Sequence, residues 1–310
     1  MSEPIGRVQS EAGAGGRLAD VTSLRLAKPE DFWLSTVRRV WRNPLGAIGT
    51  GIFAGLCLVA ILAPILAPYS PYQQYAGHEL APPLGQYFLG TDELGRDLLS
   101  RLIYGTRISL AVGIVSVVLG GGVGVVTGVL AGYWGGWIEV AIMRLWDALL
   151  AFPAILLGIA VAAVLGPGVV NAAIAVGIIN IPEFSRISRA SILSEKEKDY
   201  VLAARSIGLS DTRIVFRHML PNILAPLLIQ ATLAMAFAVL LEAGLSFLGL
   251  GAQPPEPSWG SMLNASRTYL REAPWYGIFP GIALSLLLLG LNFLADAVSD
   301  ALDPHQRNLI

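Results

Sequence analysis

Six long apolar runs restrict this chain more than any other feature. They extend from about Leu45 to Leu66, Ile108 to Leu130, Ala148 to Leu165, Val169 to Ile181, Ile223 to Leu248 and Ile278 to Val298. Across them the only ionisable carboxylates are Asp296 and Glu242. A run of about 18 or more apolar residues is what a bilayer-crossing helix requires. The fourth run is short, so its helix is expected to continue through Pro182, and Gly166-Pro167-Gly168 reads as a tight turn between the third and fourth. Composition agrees: 54% of residues are hydrophobic and 14% charged, where a soluble domain carries roughly 25% charged residues. The expected fold class is therefore all-α, a polytopic membrane protein with six transmembrane helices.

The flanks of these runs set the remaining organisation. Residues 1–31 are rich in Gly, Ala, Ser and charge, and read as a disordered tail; they lack the apolar core of a signal peptide. In the segment 32–43, Trp33, Val37, Val40 and Trp41 share one helical face, beside Arg38, Arg39 and Arg42. That pattern suits an interfacial amphipathic helix, with a plain juxtamembrane segment as the alternative. The membrane domain covers 44–304, and 305–310 is a short C-terminal tail. With the N-terminus in the cytoplasm, 16 of the 21 Lys and Arg fall inside, and Arg96, Arg101, Arg107, Arg267 and Arg271 fall outside. Cytoplasmic loops carry the excess of basic residues, so both termini and the loop 183–221 are expected inside, with the loops 69–107 and 249–275 outside. The basic residues form no continuous patch for nucleic acid, and the single Cys57 excludes an internal disulfide.

One polar, basic stretch stands apart from the apolar runs, at residues 199–222 (DYVLAARSIGLSDTRIVFRHMLPN). Asp199 to Ile207 contains good helix formers, with small Ala203 and Ala204 that permit close approach of another surface. Gly208 suits the left-handed position that ends a helix. Ser210 or Asp211 is placed to cap a second short helix, which Pro221 is expected to stop. An ordinary basic loop between two spans is the alternative reading.

Within the second run, Ser116, Gly120, Gly124, Gly128 and Gly132 recur every four residues on one stripe. Small residues so placed let two helix backbones meet in lipid; a gating hinge is the other reading. Polar groups at membrane depth are Asp147, Glu242, Asn292 and Asp296. Asp147 and Asp296 lie near span ends, where interfacial capping suffices. Glu242 sits deeper, and reads either as a structural partner or as a group lining a pathway. No G-x4-G-K-[ST] phosphate loop, H-E-x2-H or G-x-S-x-G motif occurs. His78, His218 and His305 are too dispersed in sequence for a metal cluster, and His218 reads as a surface or headgroup contact. No catalytic residue and no metal ligand is expected, and the chain is not read as an enzyme.

The spacing A-A-x3-G-x11-L-P, formed by Ala203, Ala204, Gly208, Leu220 and Pro221, resembles the cytoplasmic coupling loop of ABC importer permeases, with Leu202 in place of that family's Glu and His218 in place of its Ile. The run YFLGTDELGRDLLSRLIYGTRISL (87–110) resembles the signature before the second span of dipeptide/oligopeptide (peptide/nickel) permease C-type subunits. LSFLGLGAQPPEPSWGSMLN (245–264) and DALDP (300–304) are similar again, although three prolines would also stiffen an ordinary connector. The resemblance implies a type I ABC importer (MetI-like) permease fold in a bacterial or archaeal cell membrane. It implies a homologous B-type permease, two ATPase subunits and an extracytoplasmic substrate-binding protein as partners. ATP and Mg would sit on the ATPase chains and no cofactor on this one. Ala203, Ala204, Arg205, Gly208, Leu220 and Pro221 would meet the ATPase, Arg205 through an acidic surface. Relatives import dipeptides, longer peptides, glutathione and nickel chelates. A proton- or sodium-coupled secondary transporter is the alternative class; it calls for internal repeats and buried ionisable groups, and Glu242 is the one convincing candidate.

Overall fold

The computed structural model describes residues 29–302, which are helical apart from connecting segments; the sole β pairing among them is an isolated bridge between Thr91 and Asp97. The remainder of the two tails, the end of the DALDP run and the side chain of Trp33 lie outside the described residues. Helix α1 (Pro29–Arg42) begins inside the expected tail, with Pro at its first position, where no backbone donor is lost. It packs Val40 on Ala297 and Ala301 of the last helix, while Leu34, Val37 and Trp41 face outward.

Helix α2 (Pro44–Ile61) is capped by Asn43, whose side chain accepts from the N–H groups of Leu45 and Gly46. It breaks at Leu62, and the turn α3 (Ala63–Leu66) follows. Helix α4 (Leu98–Trp134) has 37 residues. At ~1.5 Å per residue it is roughly 55 Å long, well beyond a hydrocarbon core of about 30 Å. The expected span near 108–130 is therefore only its middle. Its start is set by Asp97, which accepts from Ser100 N at 2.8 Å.

The third expected span, 148–165, is not one helix. Helices α5 (Gly136–Leu150) and α6 (Ala154–Leu165) meet at a 93° bend. Pro153 lacks the donor that would continue α5 and is itself the N-cap of α6. Helix α7 (Val169–Lys196) runs through Pro182 without a break. Much of the expected loop 183–221 is accordingly helix. After α8 (Asp199–Ser206), a second helical stretch starts as α9 (Asp211–Arg213). It passes through a π turn (Ile214–Met219) and a 3-10 turn (Leu220–Ile223) into α10 (Leu224–Phe247). Pro221 thus does not stop the second helix. It occupies the first turn of the 3-10 segment, where a missing donor is tolerated. Helices α11 (Trp259–Ser266) and α12 (Pro274–Leu302) complete the chain.

Among the described residues, four helical stretches are long and apolar enough to cross a membrane: α2, α4, Asp211–Phe247 and α12; the bent α5–α6 pair makes five if it counts as one. Helix α7 holds the remaining apolar run, but its second half carries Glu183, Arg186, Arg189 and Glu195.

The most extensive helix pair is α4 with α7. Along the small-residue stripe, Ser116 Oγ donates to Ala173 O at 3.1 Å. A Cβ on Gly120, Gly124, Gly128 or Gly132 would lie 2.8, 2.6, 2.2 or 2.9 Å from the backbone oxygens of Gly177, Ile181, Ser185 and Arg189. The two backbones are therefore in contact, and no side chain fits between them. Helix α10 packs on α4, α7 and α12, and α2 lies against α12. One apolar core joins the first half of α4 to α10, α11 and α12; a second joins the ends of α4 and α7 to α8 and the start of α10.

Candidate functional site

The polar stretch 199–222 folds as a short helix, a glycine turn and a second helix laid over the second apolar core. Val201 and Ala204 point inward, onto Ile192, Ile214, Val215 and Met219. Gly208 has φ +77°. Its N–H donates to Arg205 O at 2.9 Å and that of Leu209 to Ala204 O at 3.1 Å, the paired bonds of a left-handed helix end. Nothing lies within 4 Å of a Cβ at Gly208, so the backbone angle and not crowding demands glycine there.

The singled-out residues divide by exposure. Ala203, Arg205, Gly208 and Pro221 are exposed, Leu220 is half-buried, and Ala204 is buried. The outer surface also presents Leu202, Ile207 and Phe216, the last two 77% and 64% exposed. Reading the sequence missed Ile207 and Phe216, although large apolar residues in a basic stretch were the available signal.

Two polar ties hold this stretch to the membrane helices. At the end of α4, Tyr133 donates to the Asp211 carboxylate, its backbone oxygen accepts from Lys196 Nζ at 2.8 Å, and its ring carries the Arg205 guanidinium at 5.5 Å. In the last turn of α7, the buried Glu195 accepts from Tyr200 Oη, Lys198 Nζ and Asn222 Nδ2, the last at 3.5 Å. Asn222 Nδ2 also lies 3.1 Å from Tyr200 Oη and 2.9 Å from His218 O. Burial first, and then the bond to the Glu195 carboxylate, pushes the Tyr200 phenol up to about 12, so it stays a donor at neutral pH. Beside this tie, Glu195, Asn222, Ser191, Ser194, Ser299 and Asp300 line a cleft of about 630 Å³.

Glu242 is fully buried near the end of α10. Its Oε1 accepts from Ser246 Oγ at 2.7 Å, Ser246 Oγ accepts from Ala252 N at 3.1 Å, and Oε2 has no partner. The carboxyl thus fixes the turn after α10 and is closed to solvent in this conformation. Asp147 pairs with Arg186 of α7 at 2.6 Å, and Asp296 is exposed.

At the opposite end, the run 87–110 folds around Asp92. Its carboxylate accepts from Arg96 N at 2.9 Å and Arg96 Nε at 2.6 Å, and Arg101 Nε lies 3.3 Å away. Arg101 Nη1 donates to Pro71 O at 2.9 Å and Trp259 Nε1 to Leu102 O at 3.1 Å. Tyr276 donates to Glu93. The loops before α4 and after α10 are thereby joined. Arg96 and Arg101, counted from sequence among the charges outside the membrane, are buried in this network. Among the described residues no group of three or more His, Cys, Asp or Glu could hold a metal ion.

Residues 124–308 match the family described as binding-protein-dependent transport system inner membrane component, and residues 31–83 match the N-terminal TM domain of oligopeptide transport permease C. The chain is 42% identical to the dipeptide transport system permease protein DppC of Alkalihalophilus pseudofirmus, over 89% of this chain and 91% of that one. It is 44% identical to the glutathione transport system permease protein GsiD of Pectobacterium atrosepticum, over 90% and 91%. A chain of the methionine ABC transporter MetNI, solved in inward-facing conformations, superposes with a TM-score of 0.55 at 20% identity. That superposition covers 66% of this chain and 98% of the other. The fold is thus that of the methionine-importer permeases, and the chain belongs to the binding-protein-dependent inner membrane permease family of ABC transporters, in its dipeptide/oligopeptide C-type branch, as a transport component and not an enzyme.

Proposed function

We propose that this chain is one of two permease subunits of an ATP-driven, binding-protein-dependent importer of dipeptides and oligopeptides. The observation that carries this reading is the 42% identity to a dipeptide permease along nine-tenths of both chains. The chain crosses the inner membrane six times with both termini in the cytoplasm, α7 and the bent α5–α6 pair supplying the crossings that the long helices do not. A homologous B-type permease forms the other half of the pathway. Two ATPase subunits, which hold the ATP and Mg, dock on the coupling segments, and an extracytoplasmic binding protein delivers cargo.

The exposed face of that segment suits such docking. Ala203 lets a partner approach closely, Leu202, Ile207 and Phe216 offer apolar surface, and Arg205 stands at its edge. The left-handed turn at Gly208 fixes the angle between α8 and the second helix. Closure of the ATPase dimer would push on this face, and the shared apolar core beneath it would carry the motion into α4, α7 and α10.

Glutathione is a second cargo reading, favoured by the 44% identity to a glutathione permease. An ion-coupled secondary transporter is the competing class, in which Glu242 would titrate during transport. Affinity purification from the native membrane tests the assembly. Recovery of a second permease and two ATPases is the expected result, with uptake that needs ATP and survives an ionophore. Recovery of this chain alone, transporting under a proton gradient, would refute it. Competition between labelled dipeptide and glutathione then separates the two cargo readings.

A further inference from the structure

We propose that the Glu195–Tyr200–Asn222 tie is the polar link through which movement of α8 reaches α7 and α10, with Tyr200 and Glu195 as positioning residues for transport. This rests on the reading of α8 as the ATPase contact. The three residues belong to three different elements: the last turn of α7, the first turn of α8, and the 3-10 turn that leads into α10. One buried carboxylate gathers all of them. Glu195 is 7% exposed and accepts from Tyr200 and Asn222, while Asn222 also bridges to the His218 carbonyl of the π turn.

The geometry makes Tyr200 the mover. The backbone joins α7 to α8 only through Glu197 and Lys198, so α8 can tilt, and the phenol is the side chain on α8 that reaches Glu195. Its hydroxyl also stands 3.1 Å from Asn222 Nδ2. A tilt of α8 therefore pulls on the end of α7 and the start of α10 together. The cleft between α7, α10 and α12, lined by Glu195 and Asn222, leaves these ends unpacked on one side and free to shift. The apolar contacts of Val201 and Ala204 also connect the elements, but they are non-directional and survive sliding; a charge-assisted hydrogen bond is directional and does not.

The test uses the complete importer, purified with its ATPases and reconstituted in liposomes. The readout is the factor by which the binding protein stimulates ATP hydrolysis, a signal that crosses from the outer face to the ATPases. Tyr200→Phe and Glu195→Ala are expected to retain the ATPases and basal hydrolysis, while stimulation falls about tenfold, the worth of a hydrogen bond to a charged group. Glu195→Gln, which keeps an acceptor, should lie between. The double variant should be no worse than either single one, as for residues acting as a unit. If Glu195→Ala yields no complex, Tyr200→Phe and Glu195→Gln decide. Unchanged stimulation in Tyr200→Phe, or losses that add in the double variant, would overturn the proposal. Absence of ATPases from the wild-type preparation would instead refute the assembly on which it rests.

Discussion

Two glycines demand glycine for opposite reasons, and substitution separates them. At Gly208 space is free but φ is +77°, a region that β-branched residues strongly avoid. Gly208→Val should leave the chain inserted in the membrane and abolish most uptake, because the angle between α8 and the next helix is lost. Wild-type uptake in that variant would remove Gly208 from the coupling role. At Gly128 the backbone is ordinary helix, but a Cβ would sit 2.2 Å from Ser185 O. Gly128→Ala should force α4 from α7 and cost about 1–3 kcal/mol, as overpacking does. Gly122, on the same helix, has nothing within 4 Å, so Gly122→Ala should be neutral or stabilising by up to about 1 kcal/mol. Thermal unfolding of the two variants in detergent checks the contrast; equal melting would show that the stripe does not hold the pair together.

At the scale of elements, what the sequence made legible was length and apolarity, and what it hid was geometry. The runs at 223–248 and 278–298 correspond closely to α10 and α12, because helices that long in lipid have no competing structure. The run at 148–165 is not a single helix: a hydropathy window averages across the Phe152-Pro153 break that turns the chain by 93°. The helix and turn at 199–208 were visible through the good helix formers and Gly208. The two ties of this stretch were not, since Tyr133 and Glu195 lie in other helices and meet it only after folding. The segment before α4 is the clearest case: its motif was recognisable, yet nothing in it revealed that Asp92 would be buried between Arg96 and Arg101. Removing one partner of such a group leaves buried charge uncompensated, so Asp92→Ala should destabilise by roughly 3–5 kcal/mol. The loss should appear as rapid proteolysis between α3 and α4; full resistance would mean that the aromatic cluster of Tyr69, Tyr75 and Tyr87 holds the segment unaided.

For the whole molecule, the decisive property is which end faces which compartment, because every role proposed for the 199–222 stretch requires it to face the compartment that holds ATP. The basic residues argue for this by number. Two of the five Arg expected outside, Arg96 and Arg101, are buried beside Asp92 in the folded chain. Arg205, Arg213 and Arg217 are exposed around the turn at Gly208. The chain's one cysteine makes the test direct: in a Cys57→Ser background, single cysteines at Gln86 and Ser206, both exposed, mark the two ends. Gln86→Cys should react with a membrane-impermeant maleimide in intact cells, and Ser206→Cys only after permeabilisation. The reverse pattern would place α8 outside and remove any possibility of ATPase contact. Labelling of both from outside would show that the stretch from α4 to α8 returns to the same face, and that the bent α5–α6 pair dips into the membrane without crossing it.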